Sequence, residues 1–78
     1  MKGIDMIETL IKMYEAEVLK AKTNIDVYIN NPVGIGEHPD LVSAVDEQVS
    51  KMAEAQDKID TLKKFYPATP YDNSPVNF

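Results

Sequence analysis

Few residues of this chain have side chains that could carry out chemistry. Among the 78 residues there is one histidine, His38, and there is no cysteine. Without a thiolate or a second imidazole, the chain lacks the ligands from which most zinc sites are built. It has no cysteine nucleophile, and no serine or threonine has a plausible general base nearby in sequence. The sequence therefore predicts neither an enzyme nor a protein that holds a metal or another cofactor.

Two short motifs have both a functional and a structural interpretation. Gly34 and Gly36 lie in one predicted loop. A dinucleotide-binding loop would need a third glycine and a preceding strand, and a P-loop would need a Gly-Lys-Ser/Thr sequence. His38, Pro39 and Asp40 form the tripeptide that J-domain cochaperones carry between two helices. The helix before that tripeptide is strongly basic in those proteins, whereas the preceding segment here is not. We therefore interpret these motifs as turn and helix-start residues.

The charge of the chain is mildly acidic. The formal net charge is −5, and all 8 basic side chains are lysines. Arginine is the side chain best suited to phosphate forks and base edges, so its absence predicts no direct nucleic-acid binding. No apolar run approaches the roughly 18 residues of a membrane span, and Asp5 and Glu8 interrupt the region where a signal peptide would be apolar. Because no disulfide is possible, we expect a cytoplasmic protein.

The first element expected to position side chains is a helix over residues 5–30. Its apolar residues recur in steps of four and three, which is a period of about 3.5 residues and is typical of helices that pack along their length. This predicted seam contains Ile7, Ile11, Tyr14, Val18, Ala21, Ile25 and Tyr28. At the start of the helix, Asp5 followed by Glu8 has the form of a capping box.

A second helix is predicted over residues 39–66, after a loop at 31–38 that is rich in Asn, Pro and Gly. Its predicted seam contains Val42, Val45, Val49, Met52, Gln56, Ile59, Lys63 and Tyr66. Gln56 has two interpretations: a buried polar group that fixes the register of the helices, or an exposed amide at the edge of the seam. Two helices of similar length joined by a short loop predict an all-α fold, an antiparallel two-helix hairpin with coiled-coil-like packing.

The segment from Pro67 to Phe78 is a proline-rich tail with no hydrophobic period. We expect it to be extended, and the chain is thus divided into a hairpin (1–66) and a tail (67–78). Proline stiffens such a segment, so that it loses less entropy on docking than a flexible one. We predict that its apolar residues anchor the tail on a partner surface, at Tyr71, Val76 and Phe78.

Surplus apolar residues are concentrated at the open end of the predicted hairpin, where the chain termini lie. They flank the seam at Met6, Leu10, Met13, Leu62 and Phe65. A hairpin buries only one stripe per helix, and in so short a chain hydrophobic burial barely offsets the lost chain entropy. We expect this surface to associate with a second copy, giving a dimer that forms a four-helix bundle, or with a larger protein. A third possibility is that the chain's own tail covers it.

From Met6 to Phe65 the chain resembles short uncharacterised proteins of T4-like tailed phages. The likeness lies in YINNPVGIGEHPD, residues 28–40, and in AEAQDKIDTLKK, residues 53–64. The resemblance implies a phage source and a location in the host cytoplasm or the virion, but no activity. It adds two roles to self-association. One is a virion accessory protein packed on larger capsid or tail chains, and the other is a small acidic inhibitor of a host protein.

Overall fold

A computed structural model of the chain describes residues 3–31 and 40–67. Within these residues there are two helices and no strand: α1 runs from Gly3 to Asn30 and α2 from Leu41 to Phe65. The predicted loop beyond Asn31 and the predicted tail beyond Pro67 lie outside the described residues. The all-helical fold expected from the hydrophobic period is confirmed.

The two helices pack against each other along their lengths and run in opposite directions. Asn24, late in α1, is hydrogen-bonded to Gln48, early in α2. Tyr14, ten residues earlier in α1, contacts Lys58, ten residues later in α2. Going from the first contact to the second, the residue number falls by ten in α1 and rises by ten in α2. The two helices therefore form the predicted antiparallel hairpin.

Helix α1 begins two residues earlier than predicted. Asp5 lies in its first turn and does not cap it, and the hydroxyl of Thr9 donates to the Asp5 carbonyl oxygen over 2.8 Å. The predicted capping box is therefore wrong, although an acidic residue in the first turn still complements the helix dipole. At the other end, the Asn30 side chain donates to the Asp26 carbonyl oxygen over 2.8 Å. The Asp26 carbonyl keeps the Asn30 backbone N–H as its helical partner, so the side chain adds a second donor there, and the Asn31 N–H donates to the next carbonyl, that of Val27, over 2.9 Å.

Helix α2 begins at Leu41, two residues later than predicted. Asp40 is its N-cap, and its carboxylate accepts hydrogen bonds from the Ser43 backbone N–H at 2.9 Å and from the Ser43 hydroxyl at 2.7 Å. A short acidic side chain before a helix satisfies N–H groups that have no partner within the helix. The helix ends at Phe65, one residue before the predicted end, where Tyr66 N–H donates to the Leu62 carbonyl oxygen over 2.9 Å.

The predicted seam of α1 is confirmed at every position. Ile11 and Ala21 are buried, and the remaining members of the seam are half-buried: Ile7, Tyr14, Val18, Ile25 and Tyr28. A period of 3.5 residues keeps one stripe of a helix against its partner. The large apolar side chains of α1 therefore lie on the side that the spacing predicts.

The seam of α2 differs from the predicted one. Val42 and Val49 are 81% and 45% exposed, and Gln56 is exposed and donates to the Asp60 carboxylate over 3.0 Å. Of the two interpretations of Gln56, the exposed amide is the one observed. The buried residues instead lie mainly one position earlier, at Ala44, Gln48, Ala55 and Ile59. Hydrophobicity ranks valine above alanine, but the helices meet here through small side chains and one amide.

The molecule is a single layer of two helices. Its dimensions are 46 × 27 × 15 Å, and the shortest is little more than the diameter of one helix, about 10–12 Å with side chains. Most domains bury their apolar faces between at least two layers. The buried apolar core of the described chain contains three alanines and two isoleucines, at Ile11, Ala21, Ala44, Ala55 and Ile59. Among residues 3–31 and 40–67, no further element covers either broad face of the hairpin.

Candidate association surface

A cleft of about 230 Å³ lies between the helices on one face of the hairpin. Charged side chains of both signs surround it, together with two amides and one alanine. Its lining consists of Glu17, Lys20, Ala21 and Asn24 from α1 and Gln48, Lys51 and Glu54 from α2. We call this side of the molecule the cleft face.

An amide pair joins the two helices at the base of the cleft. Asn24 Nδ2 donates to Gln48 Oε1 over 3.1 Å. Gln48 is only 8% exposed and is the buried polar residue of the described chain. Leaving a buried amide without a partner costs about 1–3 kcal/mol, so this bond favours the one register that brings the two residues together.

Sequence reasoning missed this pair and considered Gln56 for the same role. The available signal was the spacing of small residues, because Gln48 lies four residues after Ala44 and seven before Ala55. These steps place the three side chains on one stripe of a helix. A polar residue on a stripe of alanines is a better candidate for a buried amide than one on a row of valines.

The register set by the amide pair holds as far as the open end. Lys58 Nζ lies 5.2 Å from the centroid of the Tyr14 ring. Tyr14 comes ten residues before Asn24 in α1, and Lys58 comes ten residues after Gln48 in α2. Four further residues along each helix put Leu10 level with Leu62. The open-end residues from the two helices are therefore neighbours, as predicted for a hairpin.

These open-end residues also lie on the cleft face. Residues seven apart on a helix are almost one above the other. Met13 continues the row of Lys20 in this way, and Phe65 lies on the row of Lys51. The structure thus brings five apolar side chains to one end of one face, and we call them the open-end patch: Met6, Leu10, Met13, Leu62 and Phe65.

Much of the open-end patch is accessible to solvent. Met6 and Met13 are 50% and 52% exposed, and Phe65 is 65% exposed. Leu10 and Leu62 are half-buried because they also border the seam. Single exposed apolar residues are ordinary on protein surfaces, but a contiguous group marks a site of interaction.

The other half of the cleft face carries charges that alternate in sign. On α1 the order is Glu17 then Lys20, and on α2 it is Lys51, Glu54 and Lys58. Lys58 Nζ lies 3.4 Å from Glu54 Oε2, four residues earlier on the same helix, and the two side chains are 47% and 70% exposed. Exposed pairs of this kind contribute little to stability. Their pattern can still decide which partner surface fits the face.

An apolar groove lies at the loop end of the hairpin. The sequence did not predict this groove. It is about 340 Å³ in volume and is lined by Tyr28, Ile29, Leu41, Val42 and Val45. Ile29 is 60% exposed. In sequence, its lining residues come shortly before and shortly after residues 32–39, which lie outside the described chain.

Three further predictions concern the tail, metal binding and membrane insertion. The tail anchors Tyr71, Val76 and Phe78 lie outside the described residues. Within residues 3–31 and 40–67, no three carboxylate or imidazole side chains come together in a metal-binding group. Neither of the two described helices is long and apolar enough to cross a membrane.

Comparison of the chain with models of protein families, with curated protein sequences and with solved structures finds no match. The fold described above is a two-helix hairpin with an apolar patch and a charged cleft on one face.

Proposed function

We propose that this chain is a non-catalytic binding protein that self-associates through the open-end patch. Two hairpins stack by their cleft faces and form a four-helix bundle. The observation that carries the proposal is the exposure of Met6, Met13 and Phe65 beside the half-buried Leu10 and Leu62 on one face. Four-helix bundles bury such a face between two layers of helices.

The small core of the hairpin supports the same proposal. Three of the five buried apolar residues in the described chain are alanines, which remove little apolar surface from water. A chain of 78 residues is already near the limit at which a single core can offset the entropy of folding. Burying the open-end patch against a second copy adds the apolar area that one layer lacks.

We further propose a phage source for the chain, on the likeness of residues 28–40 and 53–64 to short phage proteins. Self-association would then occur in the host cytoplasm or in the virion. A virion accessory role remains compatible with the same face, since capsid or tail chains can cover an apolar patch as a second copy does.

A matched pair of substitutions tests self-association. Met13 is 52% exposed within the open-end patch, and Leu19 is 63% exposed on the same helix but away from the cleft. A buried charge without a partner costs several kcal/mol. We expect Met13→Asp to weaken the dimer at least tenfold, and Leu19→Asp to leave it nearly unchanged, in sedimentation velocity runs over a range of concentrations.

The two variants resemble each other in size, exposure and charge change, so a general effect of acidity would appear in both. Equal weakening by both substitutions would show that the open-end patch is not the interface. A wild-type chain that sediments as a folded monomer at tens of micromolar would overturn self-association. The patch would then belong to a foreign partner or to the chain's own tail.

A further inference from the structure

We infer that the second copy stacks on the cleft face in the same direction, with both open ends at one end of the bundle. The inference rests on the proposed function and adds the geometry of the dimer. The twofold axis runs parallel to the helices, so that α1 of each copy lies over α2 of the other. The alternative is an antiparallel stack, in which each α1 lies over the α1 of the other copy.

The distribution of apolar side chains along the cleft face favours the parallel stack. The open-end patch occupies one end of the face, and the charged cleft occupies the other half. A parallel stack places patch on patch and cleft on cleft. An antiparallel stack that overlaps along its full length would place Met6 and Phe65 opposite the polar half of the other copy. It would bury charges against apolar groups without a partner.

The charges in the cleft are complementary to those of a parallel second copy. Lys20 lies four residues before Asn24, so it is level with Met52, between Lys51 and Glu54. Lys51 comes three residues after Gln48 and four before Ala55, so it lies beside the buried stripe of α2, whereas Lys20 and Glu54 lie farther from the stripes of their helices. The two residues from Met52 to Glu54 span only about 3 Å of helix. With α1 over α2, Lys20 of one copy therefore faces Glu54 of the other, and the twofold axis repeats the pair. Facing charges of opposite sign select orientation and register more than they add affinity.

The buried amides add a second complementary feature. In the side-chain hydrogen bond between the two residues, Asn24 uses one N–H of its amide and Gln48 uses its Oε1. Within the described residues, the side-chain NH₂ group of Gln48 and the side-chain oxygen Oδ1 of Asn24 have no further partner. Gln48 is 8% exposed and lines the cleft. In the parallel stack, Asn24 of one copy lies over Gln48 of the other, where these remaining groups can pair reciprocally.

The size of the face is adequate for a stable dimer. Helix α1 has 28 residues. At about 1.5 Å per residue this gives a face about 42 Å long, and two adjacent helices make it about 20 Å wide. The resulting area of about 800 Å² per copy is that of a standard specific interface.

Charge reversal in trans tests the orientation. The Lys20→Glu chain and the Glu54→Lys chain each place like charges at both facing positions of a parallel homodimer. When the two chains are mixed, both facing pairs become opposite in sign. We expect each homodimer to be weakened about tenfold. In the mixture, native mass spectrometry with one chain ¹⁵N-labelled should show heterodimer well above the statistical half.

The control mixture combines Lys20→Glu with Asp57→Lys. Asp57→Lys changes the net charge as Glu54→Lys does, but Asp57 is exposed and does not line the cleft, so it restores no facing pair in the stack. We expect no excess heterodimer in this control. Excess in the control, equal excess in both mixtures, or excess in neither would overturn the parallel stack. If wild type is dimeric in those cases, self-association still stands, whereas a monomeric wild type overturns both proposals.

Discussion

At the scale of single residues, the hydrogen bond between Asn24 and Gln48 is the contact that specifies how the two helices align. Replacing either residue by alanine leaves the other amide without its partner in or near the buried seam. We expect Asn24→Ala and Gln48→Ala each to lower the free energy of unfolding by about 1–2 kcal/mol. The double variant should cost less than the sum of the two, because the lost interaction is shared.

The free energies of unfolding of the wild type, the two single variants and the double variant form a double-mutant cycle. They are measured by urea unfolding, monitored by circular dichroism at one fixed protein concentration. Gln56→Ala is the control, since Gln56 is exposed and bonds only along its own helix to Asp60. It should change the unfolding free energy by no more than about 0.5 kcal/mol. Additive effects of Asn24→Ala and Gln48→Ala would mean that the amide pair does not couple the helices.

Sequence patterns identified the exposed residues of the patch better than the buried amides. Met6, Met13 and Phe65 were predicted to lie outside the seam because apolar residues there exceed what one stripe can hold, and all three are more than one-third exposed. Gln48 could not be found in the same way. Whether an amide is buried depends on a partner in the other helix, and Asn24 is 24 residues away.

At the scale of elements, Asp40 determines where α2 begins. Two hydrogen bonds hold the pKa of the Asp40 carboxyl below its ordinary value. The larger effect comes from the Ser43 backbone N–H and the smaller from the Ser43 hydroxyl. We expect Asp40→Ala to lower the melting temperature at pH 7, and Asp40→Asn to retain most of the cap, because asparagine also accepts from the helix N–H groups.

The cap should also depend on pH in a direction set by the lowered pKa. Stabilisation by a carboxylate whose pKa is lower in the folded state is complete above its unfolded pKa and is lost as the pH falls through the folded value. The difference in melting temperature between wild type and Asp40→Ala should therefore shrink below the ordinary aspartate range. A difference that stays constant down to the lowered pKa would show that ionised Asp40 does not stabilise the helix.

The helices themselves were predictable because a 3.5-residue period over many residues has few other physical causes. Their exact contact stripe was predictable for α1, where the large apolar side chains form the seam. Hydrophobicity did not predict it for α2, because Ala44 and Ala55 are buried while Val42 is 81% exposed, and only the spacing of the small residues indicated the stripe. Close approach of two backbones favours small side chains, and no single-helix pattern reveals how closely the partner approaches.

At the scale of the whole molecule, the central feature is a hairpin one layer thick with an apolar patch on one face. A dimension of 15 Å leaves no second layer to cover the patch within the described chain. If the chain self-associates as proposed, association and folding are expected to be coupled, since a second copy would supply the area that one core lacks. The sequence alone indicated surplus apolar surface, but it could not show which face carried that surface or what covers it.

The concentration dependence of folding tests this account most directly. We expect the helical signal and the melting temperature of the full chain to fall together on dilution from about 100 to 1 μM, because a partner that binds only the folded chain stabilises it by mass action. Over the same range, the sedimenting mass should move from twice 8.7 kDa towards that of one chain. A melting temperature that does not change over this range, with a folded species of 8.7 kDa throughout, would contradict the account.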